Sequence, residues 1–101
     1  MKYVEVAKVD DLPEGTMKSY SVEGKDILLV NIEGSFYAIG NRCTHMGGNL
    51  SKGKLEGKIV KCPRHGSQFD VTTGSRIAGP AKNNEPAYEV KVEGKSISIN
   101  I

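Results

Sequence analysis

Tyr88-Glu89-Val90-Lys91-Val92-Glu93-Gly94-Lys95-Ser96-Ile97-Ser98-Ile99-Asn100-Ile101, the last fourteen residues of a 101-residue chain, decides the fold class. Tyr88, Val90 and Val92 alternate with Glu89 and Lys91; Ile97, Ile99 and Ile101 alternate with Ser98 and Asn100. A period of two sends successive side chains to opposite faces, so each run reads as a half-buried strand. Glu93-Gly94-Lys95 between them is a short turn whose glycine takes positive φ cheaply. The segment predicts an antiparallel hairpin.

Toward the N-terminus the same reading recurs. A second hairpin is expected from residues 27–32 to 36–39, turning at Glu33-Gly34. Val4 and Val6 predict an opening strand, and residues 17–22 another before Glu23-Gly24. Glu-Gly also occurs at 14–15 and 56–57 with no fixed period, which is turn chemistry rather than an internal repeat. No stretch of ten or more residues carries a helical period, so the chain is expected to be all-β.

Between positions 40 and 80 the pattern changes. Glycine recurs at 40, 47, 48, 53, 57, 66, 74 and 79, strands shorten, and both cysteines and both histidines fall here. Long irregular segments of this kind usually serve a function. The expected organisation is a single domain: a β base from about 1–40 and 81–101, with a loop-rich subdomain inserted over about 41–80. A chain this short has room for one modest core and often leans on a metal or disulfide. Its 38% hydrophobic and 26% charged residues exclude wholesale disorder. The N-terminus lacks the apolar core of a signal peptide, and charges interrupt every apolar run before membrane-spanning length, so a soluble cytoplasmic protein is expected. Two cysteines near histidines in a reducing compartment point to metal binding rather than a disulfide.

The chemistry-bearing constellation is Cys43-Thr44-His45, then sixteen residues, then Cys62-Pro63-Arg64-His65. Thiolate and imidazole suit iron–sulfur or zinc sites. Each loop offers one of each in the same order, and a two-iron cluster can use that arrangement, one cysteine and one histidine of each loop serving different irons. Gly47, Gly48 and Gly66 let backbone amides approach cluster sulfurs. Zinc sites typically space paired cysteines by two to four residues and paired histidines by three to five, which the alternating order here fits poorly. A cysteine–histidine catalytic pair would leave half the constellation unused.

Cys43-Thr44-His45-Met46-Gly47-Gly48 with Cys62-Pro63-Arg64-His65-Gly66-Ser67 resembles the two cluster-binding loops of the Rieske [2Fe–2S] family. The flanks agree: Ala38-Ile39-Gly40-Asn41, Leu50 and Gly53, then Phe69-Asp70 and Thr73-Gly74. Gly79-Pro80 resembles the third loop that covers the cluster. The resemblance spans nearly the whole chain. It implies one [2Fe–2S] cluster per chain, with Cys43 and Cys62 on the inner iron and His45 and His65 on the outer iron near the surface. It also implies a Rieske-like antiparallel β-sandwich base. Two ferric ions, two sulfides and two thiolates sum to zero, against minus two for a four-cysteine cluster. Histidine ligation accordingly raises the potential into a range of roughly −150 to +300 mV.

Respiratory-type members resemble this motif but carry an extra cysteine in each loop, where this chain has Gly48 and Arg64. Phe69 stands where those members place a donor tyrosine, while Ser67 is retained and is a candidate donor to a bridging sulfide. Fewer donors stabilise the added electron less, which places the chain in the low-potential, ferredoxin-like branch. Phe69 otherwise reads as core packing beneath the loop, and Tyr37 and Tyr88 as core or surface strand residues.

The implied function is one-electron carriage between a reductase and a terminal oxidoreductase, without catalysis. An oxygenase would need two further histidines for a mononuclear iron, and His45 and His65 are the only two. A small subunit of a larger reductase, resembling nitrite reductase small subunits, is the alternative. No Gly-x-Gly-x-x-Gly supports a nicotinamide or flavin. The partners are expected to be redox proteins with an acidic docking face, not nucleic acid or membrane, and the free protein a monomer. Charge supports that expectation: residues 42–82 hold eight basic and two acidic residues, a net +6, while the remainder holds six basic and ten acidic, a net −4.

Overall fold

The computed structural model describes residues 3–42, 49–64, 66–79 and 81–101. Eleven strands lie in three antiparallel sheets, with no α-helix among the described residues. The first sheet joins β1 (Tyr3–Lys8), β11 (Ser96–Asn100) and β10 (Val90–Glu93) in that order. The second joins β2 (Met17–Val22), β3 (Lys25–Ile32), β4 (Ser35–Gly40) and β9 (Ala87–Tyr88). The third is built from the middle of the chain alone: β5 (Lys54–Glu56), β6 (Ile59–Lys61), β7 (Gln68–Asp70) and β8 (Arg76–Ala78). The expected all-β class, with an antiparallel sandwich as its base, is what the chain adopts.

The second sheet is the middle layer, and its central strand shows why. Ile27, Leu28, Leu29 and Val30 are all fully buried, an unbroken apolar run rather than an alternation. Ile27 and Leu29 pack with Ile97 and Ile99 of the first sheet. Leu28 and Val30 pack with Val60 and Phe69 of the third and with Cys62 just after β6. A strand covered on both faces needs apolar residues at every position. Burying Leu28 or Phe69 completely contributes about 1.5–3 kcal/mol each, and this attaches the third sheet to the base.

The predicted hairpins form with tight turns. Ile32 pairs with Ser35, leaving Glu33 and Gly34 as a two-residue loop with φ of 51° and 90°. Both central residues are left-handed, the geometry that matches strand twist and favours glycine second. The C-terminal hairpin turns as expected at Gly94-Lys95, with Glu93 opposite Ser96. Its first strand differs from the sequence expectation. Ala87–Tyr88 pairs with β4, whereas Val90–Glu93 pairs with β11, so the chain changes sheets at Glu89. Periodicity runs straight through that crossing because both halves are extended. The change of sheet also leaves Val92 exposed although it sits in phase with Tyr88 and Val90.

Asp70 governs the turn between β7 and β8. Its Oδ1 accepts from the Thr72 amide at 2.8 Å and the Thr72 hydroxyl at 2.6 Å, and its carbonyl accepts from Gly74 at 2.7 Å. Lys58 lies 3.6 Å from its other oxygen. Burial alone would push the Asp70 carboxyl up, but the two Thr72 donors and Lys58 outweigh it and hold the pKa below the ordinary carboxylate range. A depressed folded-state pKa adds stability that is complete above the unfolded value of about 4 and disappears as pH falls through the folded one. Asp70→Ala should therefore cost about 1–2 kcal/mol near neutrality. The gap from the parent in urea unfolding should close as pH drops below about 4.

Candidate metal centre

Cys62 follows β6 directly and is 3% exposed, within the core that joins the second and third sheets. The strand pair β6–β7 sets the shape of the loop after it. Lys61 is opposite Gln68, the Cys62 amide donates to the Ser67 carbonyl at 2.7 Å, and the Gly66 amide donates to the Cys62 carbonyl at 3.2 Å. The segment 62–67 is thus a closed loop, bonded to itself at its neck. Phe69, fully buried opposite Val60, forms part of the floor beneath it, as a packing residue should.

Of the residues that the sequence marks for the site, Cys62, Gly66 and Ser67 are described. Cys43, His45, Gly47, Gly48, His65 and Pro80 lie outside the described residues. The residues on either side of 43–48 are drawn together by hydrogen bonds. Asn41, fully buried after β4, donates through Nδ2 to Asn49 Oδ1 at 2.7 Å and to Asp26 Oδ2 at 3.2 Å. Its Oδ1 accepts from the Ser51 amide at 3.0 Å. The main chain repeats the closure: Asn41 N–H donates to the Asp26 carbonyl, Leu50 N–H to the Asn41 carbonyl, and Arg42 bridges Asn49. Arg42 Nε also meets Asp26 Oδ2 at 2.9 Å. Asn49 caps a single 3-10 turn at Leu50–Lys52, its side chain accepting from the Ser51 amide and hydroxyl.

Sequence reading included Asn41 among the flanks but missed this clasp of Asn41, Asn49 and Asp26. The available signal was Asn49-Leu50-Ser51, a capping residue before an apolar one at the return of the loop. The third loop is tied in as well: the Ala81 amide donates to Ser67 Oγ at 3.1 Å. Gly79, at φ +93°, lies so close to the second loop that an added Cβ would come within 2.5 Å of Ser67 Cα. The segments bordering the second and third sequence-predicted loops are therefore bonded to each other, while the Asn41 clasp closes the first.

The residues present fit an iron–sulfur cluster. Cys62 borders a hollow of about 590 Å³ that Gly66, Lys52, Lys54, Lys61 and Arg64 also line. Among the described residues the lining pairs a soft sulfur donor with four cations and no acid, which suits a thiolate- and sulfide-bearing group that becomes anionic on reduction. Asn41→Asp would test the clasp without changing its shape. The new carboxylate would face Asp26 and the Asn49 carbonyl oxygen. Thermal melts should show a loss of about 2 kcal/mol at pH 7 that shrinks toward pH 4 as the carboxylates protonate.

Comparison with known proteins agrees with this geometry. The family model for the Rieske [2Fe-2S] domain matches residues 2–94. The ferredoxin component of the naphthalene 1,2-dioxygenase system of Pseudomonas aeruginosa is 38% identical over 100 residues, covering 99% of this chain and 96% of that protein. The solved ferredoxin of carbazole 1,9a-dioxygenase from Nocardioides aromaticivorans superposes with a TM-score of 0.93 at 34% identity, over 98% of this chain and 97% of that one. A chain in the complex of reduced oxygenase and oxidized ferredoxin of carbazole 1,9a-dioxygenase matches with a TM-score of 0.91 at 28% identity, over 96% of this chain and 91% of that one. With a fold, a cysteine-lined hollow and relatives that agree, the chain belongs to the Rieske [2Fe-2S] domain family and is a [2Fe–2S] electron-transfer protein.

Proposed function

We propose that this chain is the ferredoxin component of a dioxygenase-type system, taking one electron from a reductase and delivering it to a terminal oxygenase. The observation that carries the reading is the end-to-end likeness to ferredoxin components, which the chain matches over nearly its own length and theirs. In this reading Cys43 and Cys62 hold the inner iron, and His45 and His65 hold the outer iron. The bound cluster supplies a single reversible one-electron step in the Rieske range. Amides around Gly47, Gly48 and Gly66 face its sulfurs. The Ser67 hydroxyl, whose oxygen accepts from Ala81, keeps its own proton to donate. Pro80 covers the site. Segment 41–80 acts as the cluster-binding subdomain on a base formed by both ends of the chain. With Phe69 buried and no hydroxyl at that position, the midpoint falls in the lower half of the range.

The same reading gives the protein an acidic-faced partner. Arg42 and Lys58 already face Asp26 and Asp70. Lys52, Lys54, Lys61 and Arg64, which line the hollow beside Cys62, have no ion-pair partner among the described residues. Four uncompensated cations beside the proposed cluster favour approach of a carboxylate-bearing surface. In this reading the carrier is cytoplasmic and monomeric when free; no helix among the described residues is long and apolar enough to cross a membrane.

Stopped-flow reduction of a partner oxygenase checks the docking. Its second-order rate should fall steeply as salt rises through the physiological range. Lys61→Glu and Arg64→Glu should each slow association by about tenfold or more, whereas Lys95→Glu in the base should change it little. Equal effects at both places, or a rate indifferent to salt, would contradict an electrostatic docking face.

A further inference from the structure

Arg76 opens β8, where the pairing with β7 slips. Gln68 faces Ala78 and Phe69 faces Arg76, so one residue of β8, Ile77, is extra and stands exposed. A bulge of this kind re-aims the side chains beside it. Here it goes with an Arg76 guanidinium that lies along the segment that follows. Nη2 donates to the Gly79 carbonyl at 2.7 Å, and Nε donates to the Ala81 carbonyl. The Arg76 amide donates to Asn84 Oδ1 at 2.9 Å, fixing the backbone from which the side chain reaches. The two carbonyls flank position 80.

Both gripped residues press on the second loop. Gly79 has no room for a Cβ against Ser67, and Ala81, 1% exposed, donates its amide to Ser67 Oγ and packs in the same core as Cys62. We propose that Arg76 is a positioning residue, a two-pronged clamp that holds Gly79 and Ala81 down on Ser67 of the second loop and keeps water from the cluster. The inference rests on the reading that the segment around Pro80 covers that cluster. The planar guanidinium suits the task because two N–H groups diverge in fixed geometry onto two carbonyls. A lysine ammonium keeps the charge but lacks the fork. The clamp has a further consequence: the Arg76 charge serves the fold, unlike the cations around the hollow.

The test uses the cluster-loaded protein with Arg76→Lys and Arg76→Gln. Three quantities are followed: bleaching of the visible absorbance by an iron chelator, deuterium modulation of the reduced-state EPR signal in D2O, and hydrogen exchange at the Ala81 amide. Both variants should bleach about tenfold faster, the weight of one lost charge-assisted hydrogen bond. Both should show stronger deuterium modulation and faster Ala81 exchange, while the far-UV spectrum of the β base is unchanged. Arg76→Lys behaving as the parent would overturn the clamp in favour of charge alone, and two unchanged variants would overturn it outright. If Arg76→Gln fails to load, Arg76→Lys and Ala81 exchange in the unloaded proteins decide. A parent that holds iron but lacks a Rieske-type signal would instead sink the functional reading, and Ala81 exchange would still judge the clamp.

Discussion

The 2.7 Å hydrogen bond between the buried amide of Asn41 and Asn49 Oδ1 closes the root of the segment that carries Cys43 and His45. A cluster gripped by side chains from separate loops needs those loops held at a set distance, and loops this rich in glycine pack too little apolar surface to hold themselves. Main-chain and side-chain bonds do it instead. Asn41 draws together the ends of one loop, the Cys62–Ser67 pair closes the next, and Ser67 receives the third through Ala81. Each bond is worth about 1 kcal/mol net, but leaving any of these buried groups unpaired costs more than that.

That framework needs a rigid floor, and β3 supplies it. Its two apolar faces hold the first sheet on one side and the third on the other, and Leu50, Cys62 and Ala81, which border the three loops, pack in the core on the second of these faces. Cys62 belongs to this core rather than to the surface. In the proposed function Cys62 is a ligand, and displacing it would disturb Leu28, Val60 and Phe69 together. A ligand rooted in a close-packed core would keep reorganisation on electron transfer small.

Much of this was legible in the residues. Alternation marked the C-terminal hairpin, and Glu33-Gly34 marked a left-handed turn that forms between Ile32 and Ser35. The paired Cys-x-His and Cys-x-x-His order pointed to the family. The sheet change at Glu89 was not legible, because extended backbone has the same period whichever sheet it joins. Nor was the Asn41 clasp: Asn49-Leu50-Ser51 signals a cap, but Asn49 is eight residues from Asn41 and Asp26 fifteen, so the pattern does not report their meeting. The split among cations was equally hidden. Arg42, Lys58 and Lys61 look alike in sequence, yet two face carboxylates and one lines the hollow. Segment charge gave the sign of the surface without saying which residues were available to a partner.

The central claim is that two cysteines and two histidines hold a two-iron, two-sulfide cluster in this chain. The most direct measurement is an EPR spectrum of the anaerobically reduced protein, taken with iron and acid-labile sulfide assays on the same sample. The account predicts about two irons and two sulfides per chain and a rhombic signal whose average g lies below the free-electron value. One zinc per chain, no labile sulfide and no signal would contradict it.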